Sequence, residues 1–211
     1  MSSAVKEKNI YEDAFREFAG ERTGEPSWVA RLREGAFERF EETGFPTTDE
    51  EDWKYTNVAP IARKSFRTAV EKVELESDTV ETFVSAEAGR SRLVFVNGVY
   101  SPGHSSLEAI PSGVSVEELG AALAGEHGEV LWNHLGRLSG EGSDAFTALN
   151  TAFLGGGALL VVPKGVVVES PVQLLFLNTR AEVVTFPRVL VVAERDSRLD
   201  LIETHAATSD A

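Results

Sequence analysis

At 211 residues, 42% of them hydrophobic, the chain is long enough to bury one large core or two small ones. A net charge of -14 at pH 7 argues against a nucleic-acid partner, which needs a face where Lys and Arg outnumber acids; solubility is the plainer reading of the acidity. With no cysteine, disulfides, thiolate metal sites and cysteine nucleophiles are excluded, so any metal would need nitrogen or oxygen ligands.

The start, MSSAVKEKNIYEDAF, has no apolar signal core, and the longest apolar runs (ALLVVP, VQLLFL) fall short of a bilayer span. The expected location is cytoplasmic, with no membrane partner. Residues 1–90 read as a helical region. Ile10, Ala14 and Phe18 share one stripe of a short helix that Gly20 is predicted to end. Ser27 is the expected N-cap of a second helix with Val29, Leu32, Ala36, Phe37 and Phe40 at helical spacing, and Gly44 is its expected stop. Pro46 then takes the chain out of the helix before an acidic run, Asp49 to Asp52, that is predicted to open a short helix capped by Thr48 or Asp49.

Trp53, Lys54 and Tyr55 follow that run. Rings two apart share a face in an extended chain and diverge in a helical one. The plain reading is a staple between segments; the functional reading is a partner-facing aromatic patch, so Trp53, Lys54 and Tyr55 are interface candidates.

Residues 91–155 read as a mixed connecting region. Asn97-Gly98 between β-rich flanks predicts a hairpin, because a type I′ turn needs positive φ at both central residues. Ser115 and Glu118 have capping-box spacing, and residues 130–138 and 144–154 are helical candidates. The triple glycine 155–157 follows a helix and precedes a strand, the reverse of a phosphate cradle, so it is read as a helix end and a tight passage into the next segment.

From residue 156 to 211 short β-branched runs alternate with turns, and ALLVV and RVLVV recur about thirty residues apart. The expected class is α+β, with the N-terminal helical region followed by the start of a parallel β-helix; a β-sandwich is the alternative. A final strand without a polar cap suggests a fragment, or pairing with another copy of the chain. Glu203 and His205 share one face of that strand, which makes them interface candidates and His205 a metal candidate; an exposed strand side chain is the plainer reading. His127 and His134 are seven apart, which would align them on a continuous helix, but Gly128 and the start of the helix there weigh against a metal pair. Asp200 with Glu203 is too weak a carboxylate pair to define the other function considered, a solenoid polysaccharide lyase or hydrolase. A self-associating structural module is the third reading.

Four stretches in order, EPSWVARLREGAFERF, GFPTTDEEDWKYTNVAPI, LVFVNGVYSP and FTALNTAFLGGGALLVVPKGVVVESPVQLLFL, resemble the SufB/SufD family of iron–sulfur cluster assembly scaffolds, nearer its SufD branch. Trp53 to Thr56 match a family element of the form W-K/R-Y/F-T. The resemblance implies a non-enzyme with a right-handed β-helix core, a SufB-like paralogue as partner, and a SufC-like ATPase docked on a C-terminal domain beyond these residues. It implies support of iron entry, with the iron–sulfur cluster held in the assembled complex and no cofactor bound by these residues. Family residues proposed for iron handling lie past Ala211, so none is carried over.

Overall fold

The computed structural model describes residues 2–22, 24–64, 66–68, 73–137 and 144–208, with side chains from Tyr11 onward. The side chain of Ile10, Leu138 and the terminal pair Asp210–Ala211 lie outside the described residues. In chain order the helices are α1 (Ser2–Gly20), α2 (Ser27–Thr43), α3 (Ala59–Ala62), α4 (Ser77–Glu81), α5 (Leu119–Ala124), α6 (Gly128–His134) and α7 (Ala145–Ala152). The strands are β1 (Arg67–Thr68), β2 (Arg92–Val96), β3 (Val99–Tyr100), β4 (Ser115–Glu118), β5 (Gly156–Val162), β6 (Val172–Asn178), β7 (Val183–Val184), β8 (Pro187–Ala193) and β9 (Leu201–Ala207). The chain divides into two compact units, one of Met1–Thr68 with Glu126–Leu154, the other of Ala69–Gly125 with Gly155–Ala211.

The first unit is helical and held by aromatic rings. Phe15 stacks on Phe37 with centroids 4.3 Å apart, Phe153 meets Phe15 edge-on, and Tyr11 sits between Phe40 and Phe45. α1 starts well before the predicted stretch, at Ser2, and ends at Gly20 as expected, although Gly20 is its last helical residue and not a left-handed cap. Gly44 ends α2 as expected, with φ 66° and its N–H on the Phe40 carbonyl at 2.8 Å. Ser27 does not cap α2: Pro26 occupies the cap position, and the Ser27 hydroxyl accepts instead from Arg31. At α7 the Asp144 carboxylate takes the N–H groups of Phe146 and Thr147.

Burial holds the Tyr11 hydroxyl above its ordinary pKa of 10.0. A raised folded-state value means that its contribution to stability is complete below pH 10.0 and is lost as pH rises through the raised value. The melting temperature should therefore fall faster above that pH in the wild-type chain than in Tyr11→Phe; parallel curves would refute the linkage.

In the second unit the Asn97-Gly98 turn forms as predicted, with φ 49° and 81° and Val96 opposite Val99. Asn97 also ties the hairpin down: its Nδ2 donates to Thr179 Oγ1 at 2.9 Å, and its Oδ1 accepts from the Thr179 N–H at 2.8 Å. Two sheets result, ordered β3-β2-β6-β9 and β4-β5-β8. Between them lie Leu93, Phe95, Ala158, Leu160, Val162, Leu174 and Phe176. On the other face of the first sheet Val94, Val96, Leu175 and Leu177 pack with Val80 of α4. β6 is thus covered on both faces and reads as a continuous apolar run broken by Gln173. That buried amide is satisfied: its oxygen accepts from Ser85 N–H at 2.9 Å, and its nitrogen donates to Phe83 O at 3.0 Å and Thr204 Oγ1 at 2.9 Å.

The α+β class holds, but the expected truncated parallel β-helix does not. β5 and β8 run parallel with Leu159 opposite Leu190, and β2, β6 and β9 run parallel. The hairpin, however, lays β3 antiparallel on β2, and β4 lies antiparallel on β5. These edge strands make both sheets mixed, and among the described residues no sheet is closed or solenoidal. The alternative, a β-sandwich, is matched only in that two sheets enclose one core; within each sheet the pairing is mixed, parallel inside and antiparallel at one edge. The predicted capping box is absent too: Ser115 to Glu118 is β4, and Glu118 itself caps α5, its carboxylate accepting from the Gly120 and Ala121 N–H groups at 2.8 and 2.7 Å.

Candidate functional site

Local hydrogen bonds shape the segment around Trp53. Thr47 N–H donates to Glu50 Oε1 at 2.8 Å, and Thr47 Oγ1 accepts from Asp49 N–H at 3.3 Å, so Thr47 organises the turn in place of Thr48 or Asp49. A single 3₁₀ turn, Glu51–Trp53, follows. Because the chain is helical there, the two rings diverge. Trp53 is half-buried against Phe146, with centroids 5.5 Å apart, and Phe146 continues to Phe45. Tyr55 is 91% exposed, and the Lys54 ammonium lies 5.7 Å from its ring centre. One ring anchors the turn and the other projects into solvent.

On β9 alternate residues are exposed, and Glu203 and His205 stand on one face as the period of two requires. His205 Nε2 lies 2.7 Å from Glu203 Oε1, and the imidazole stacks on Phe176 at 4.9 Å. It ends a rung across four strands: Tyr100, Phe95, Phe176 and His205 are register partners, with Phe95 and Phe176 stacked at 5.0 Å. Sequence reasoning found the His205 face but not this rung, which needs the register of β2 on β6. Asp200 pairs with Arg198 at 3.1 Å and Glu203 with His205, so these two acids do not converge. Among the described residues no three His, Asp or Glu side chains come together as a metal site.

His127 and His134 sit at opposite ends of α6. His104 makes a pair that sequence reasoning missed. Its Nε2 meets the Leu75 carbonyl at 3.1 Å and so carries the proton; its Nδ1 then accepts from the Ser101 hydroxyl at 2.8 Å. The spacing Ser-Pro-Gly-His around a 3₁₀ turn was the available signal. Ser101 is buried, with its N–H on Val94 O and its carbonyl on Ser105 Oγ, so the pair braces the turn.

The class these features define is an α+β chain whose chemistry-bearing side chains lie on turns and on the outer strand of a mixed sheet. No helix among the described residues is long and apolar enough to cross a membrane. The family model described as "SufBD protein N-terminal region" matches residues 5–174, and the chain belongs to that family. It is 32% identical over 187 residues to an iron-sulfur cluster assembly SufBD family protein of Synechocystis sp., covering 88% of this chain and 41% of that protein. It is 30% identical over 195 residues to the iron-sulfur cluster assembly protein SufD of Bacillus subtilis, 89% of this chain and 44% of that protein. Against SufB of the same organism identity is 24% over 188 residues, 85% of this chain and 40% of that protein. The chain thus spans less than half the length of these relatives.

Proposed function

We propose that this chain belongs to a non-catalytic scaffold of iron–sulfur cluster assembly, which pairs with a SufB-like paralogue and works with a SufC-like ATPase. Iron and the nascent cluster are cargo of the assembled complex, and these residues hold neither. The observation that carries the reading is the family match over residues 5–174, with relatives named for iron–sulfur cluster assembly aligned along 85% or more of the chain.

Tyr55 is the residue proposed to face a partner. A tyrosine at 91% exposure gains nothing for its own fold, whereas tyrosine in a desolvated interface is a common anchor. The test is capture of a SufB-like protein by the purified chain. Tyr55→Ala should weaken capture about tenfold without moving the melting temperature. Trp53→Ala should lower stability by ~1 to 3 kcal/mol, since its ring packs on Phe146 but is only half-buried. Failure of the wild-type chain to capture any SufB-like protein would overturn the partner assignment; capture unaffected by Tyr55→Ala would overturn the role of Tyr55.

A further inference from the structure

Asn97-Gly98 is the one Asn-Gly pair in the sequence, and such a pair can react with itself. The Gly98 amide nitrogen attacks the side-chain carbonyl carbon of Asn97. An N–Cγ bond forms, the nitrogen gives its proton to water, and the Cγ–Nδ2 bond breaks as Nδ2 leaves as ammonia. Water then opens the cyclic imide at either carbonyl, giving aspartate or isoaspartate at position 97. Glycine leaves the attacking nitrogen unhindered, so this ring closes faster than it would before a bulkier residue.

The fold holds each group that the reaction needs. Asn97 is 2% exposed, and Thr179 engages both ends of its amide: Nδ2 donates to Oγ1 at 2.9 Å, and Oδ1 accepts from the N–H at 2.8 Å. Its own N–H donates to the Leu177 carbonyl at 2.8 Å. Ring closure has to swing Cγ toward Gly98 and so break both bonds to Thr179. Gly98 is confined as well. A Cβ on it would lie 3.2 Å from Thr185 Cγ2, so a methyl group stands over that residue, and its carbonyl oxygen is 2.9 Å from the Cβ position of Gly156. Burial also keeps away the water that takes up the proton and opens the imide.

We propose that Asn97 is a deamidation site that Thr179 keeps closed in the folded chain, and that reacts when the β2–β3 turn separates from the segment after β6. Thr179 is a positioning residue: it takes no part in the chemistry and acts by holding the amide away from Gly98. The two products differ in consequence. Aspartate at position 97 fits the same place, its carboxylate accepting from the Thr179 N–H and, once the hydroxyl turns round, from Oγ1. Isoaspartate routes the main chain through Cγ and adds a methylene, which destroys the Val96–Val99 register. Opening of the turn thus leaves a covalent mark, and its isoaspartate form keeps the hairpin from closing again. This inference does not depend on the partner assignment above, which concerns Tyr55 in the other unit.

Peptide mass spectrometry of the 211-residue chain, aged at mildly alkaline pH with and without denaturant, tests it. Asn97 should convert in denaturant, and roughly a hundredfold more slowly or less in the folded chain. Thr179→Val keeps the side-chain shape and the backbone N–H but removes the Oγ1 acceptor. It should speed conversion of the folded chain roughly three- to tenfold and leave the rate in denaturant unchanged. Gly165→Ala, at a left-handed glycine between β5 and β6, lowers stability without touching the turn and should not change the folded-state rate, which separates local opening from general loss of stability. Asn97→Asp should refold to the native circular dichroism spectrum, whereas the isoaspartate fraction recovered from denaturant should not. Survival of Asn97 in denaturant would overturn the site, and equal rates with and without denaturant would overturn its protection. A Thr179→Val rate equal to that of wild type, or matched by Gly165→Ala, would overturn the role of Thr179. An isoaspartate fraction that refolds like Asn97→Asp would overturn the lasting mark.

Discussion

Gly157→Ala should destabilise the second unit by ~3 to 5 kcal/mol, combining a backbone strained for any side chain with an overlap that cannot relax cheaply. Gly157 has φ 119°, a conformation that L side chains rarely adopt. A Cβ there would lie 2.0 Å from the Arg188 carbonyl oxygen and 2.6 Å from its nitrogen. Both are backbone atoms of β8, and Arg188 is the register partner of Gly157. The clash therefore falls on the parallel pairing itself, and either β5 or β8 must shift along its length.

The neighbouring Gly156 has the same kind of role, since a Cβ at that position would come 2.9 Å from the carbonyl of Gly98 in the hairpin turn. Gly165 supplies the control. It also has positive φ, at 74°, but nothing lies within 4 Å of its Cβ position, so Gly165→Ala should cost only ~1 to 2 kcal/mol. Denaturant melts of the two variants against wild type give the comparison. Equal effects would mean that backbone conformation alone, and not the approach of β8, requires glycine at 157.

This pair of glycines shows where sequence reading stops. A helix end followed by a strand implied that 155–157 form a tight passage, because local order suffices for that. Which backbone approaches is a fact about β8, thirty residues away, and no local signal carries it. Asn97-Gly98 was legible for the opposite reason: two positive φ angles are a property of the turn itself. The S-x-x-E at Ser115 misled because Glu118 satisfies helix N–H groups equally well from the cap position, which frees Ser115 to start a strand. Parallel pairing of ALLVV with RVLVV was suggested by their recurrence; the antiparallel β3 and β4 that make the sheets mixed were not. At the candidate sites the period of two put Glu203 and His205 on one face. The fate of Trp53 and Tyr55 turned on a 3₁₀ turn that the acidic run foreshadowed without fixing which ring would be buried.

In the helical unit the largest effect is expected at Glu25. Arg33 on α2 is 3% exposed, and its guanidinium reaches three acceptors: Nε donates to the Leu154 carbonyl at 2.7 Å, and both terminal nitrogens bond the Glu25 carboxylate. The same carboxylate lies 3.5 Å from Arg22, and both guanidinium groups stand over the Phe18 ring. One acid thus compensates two cations. Removing it as Glu25→Ala leaves Arg33 buried without its counter-ion and beside a like charge, which should cost ~3 to 5 kcal/mol. Replacing the pair as Glu25→Gln with Arg33→Met removes the buried charge and its demand together; the remaining cost should be ~1 to 2 kcal/mol, from the lost bond to Leu154 and imperfect packing. The double variant should therefore melt above the single one, although it carries one more substitution. If Glu25→Ala melts at or above the double variant, solvent reaches Arg33 in place of the carboxylate, and the ion pair is not what fixes the α2 face against the end of α7.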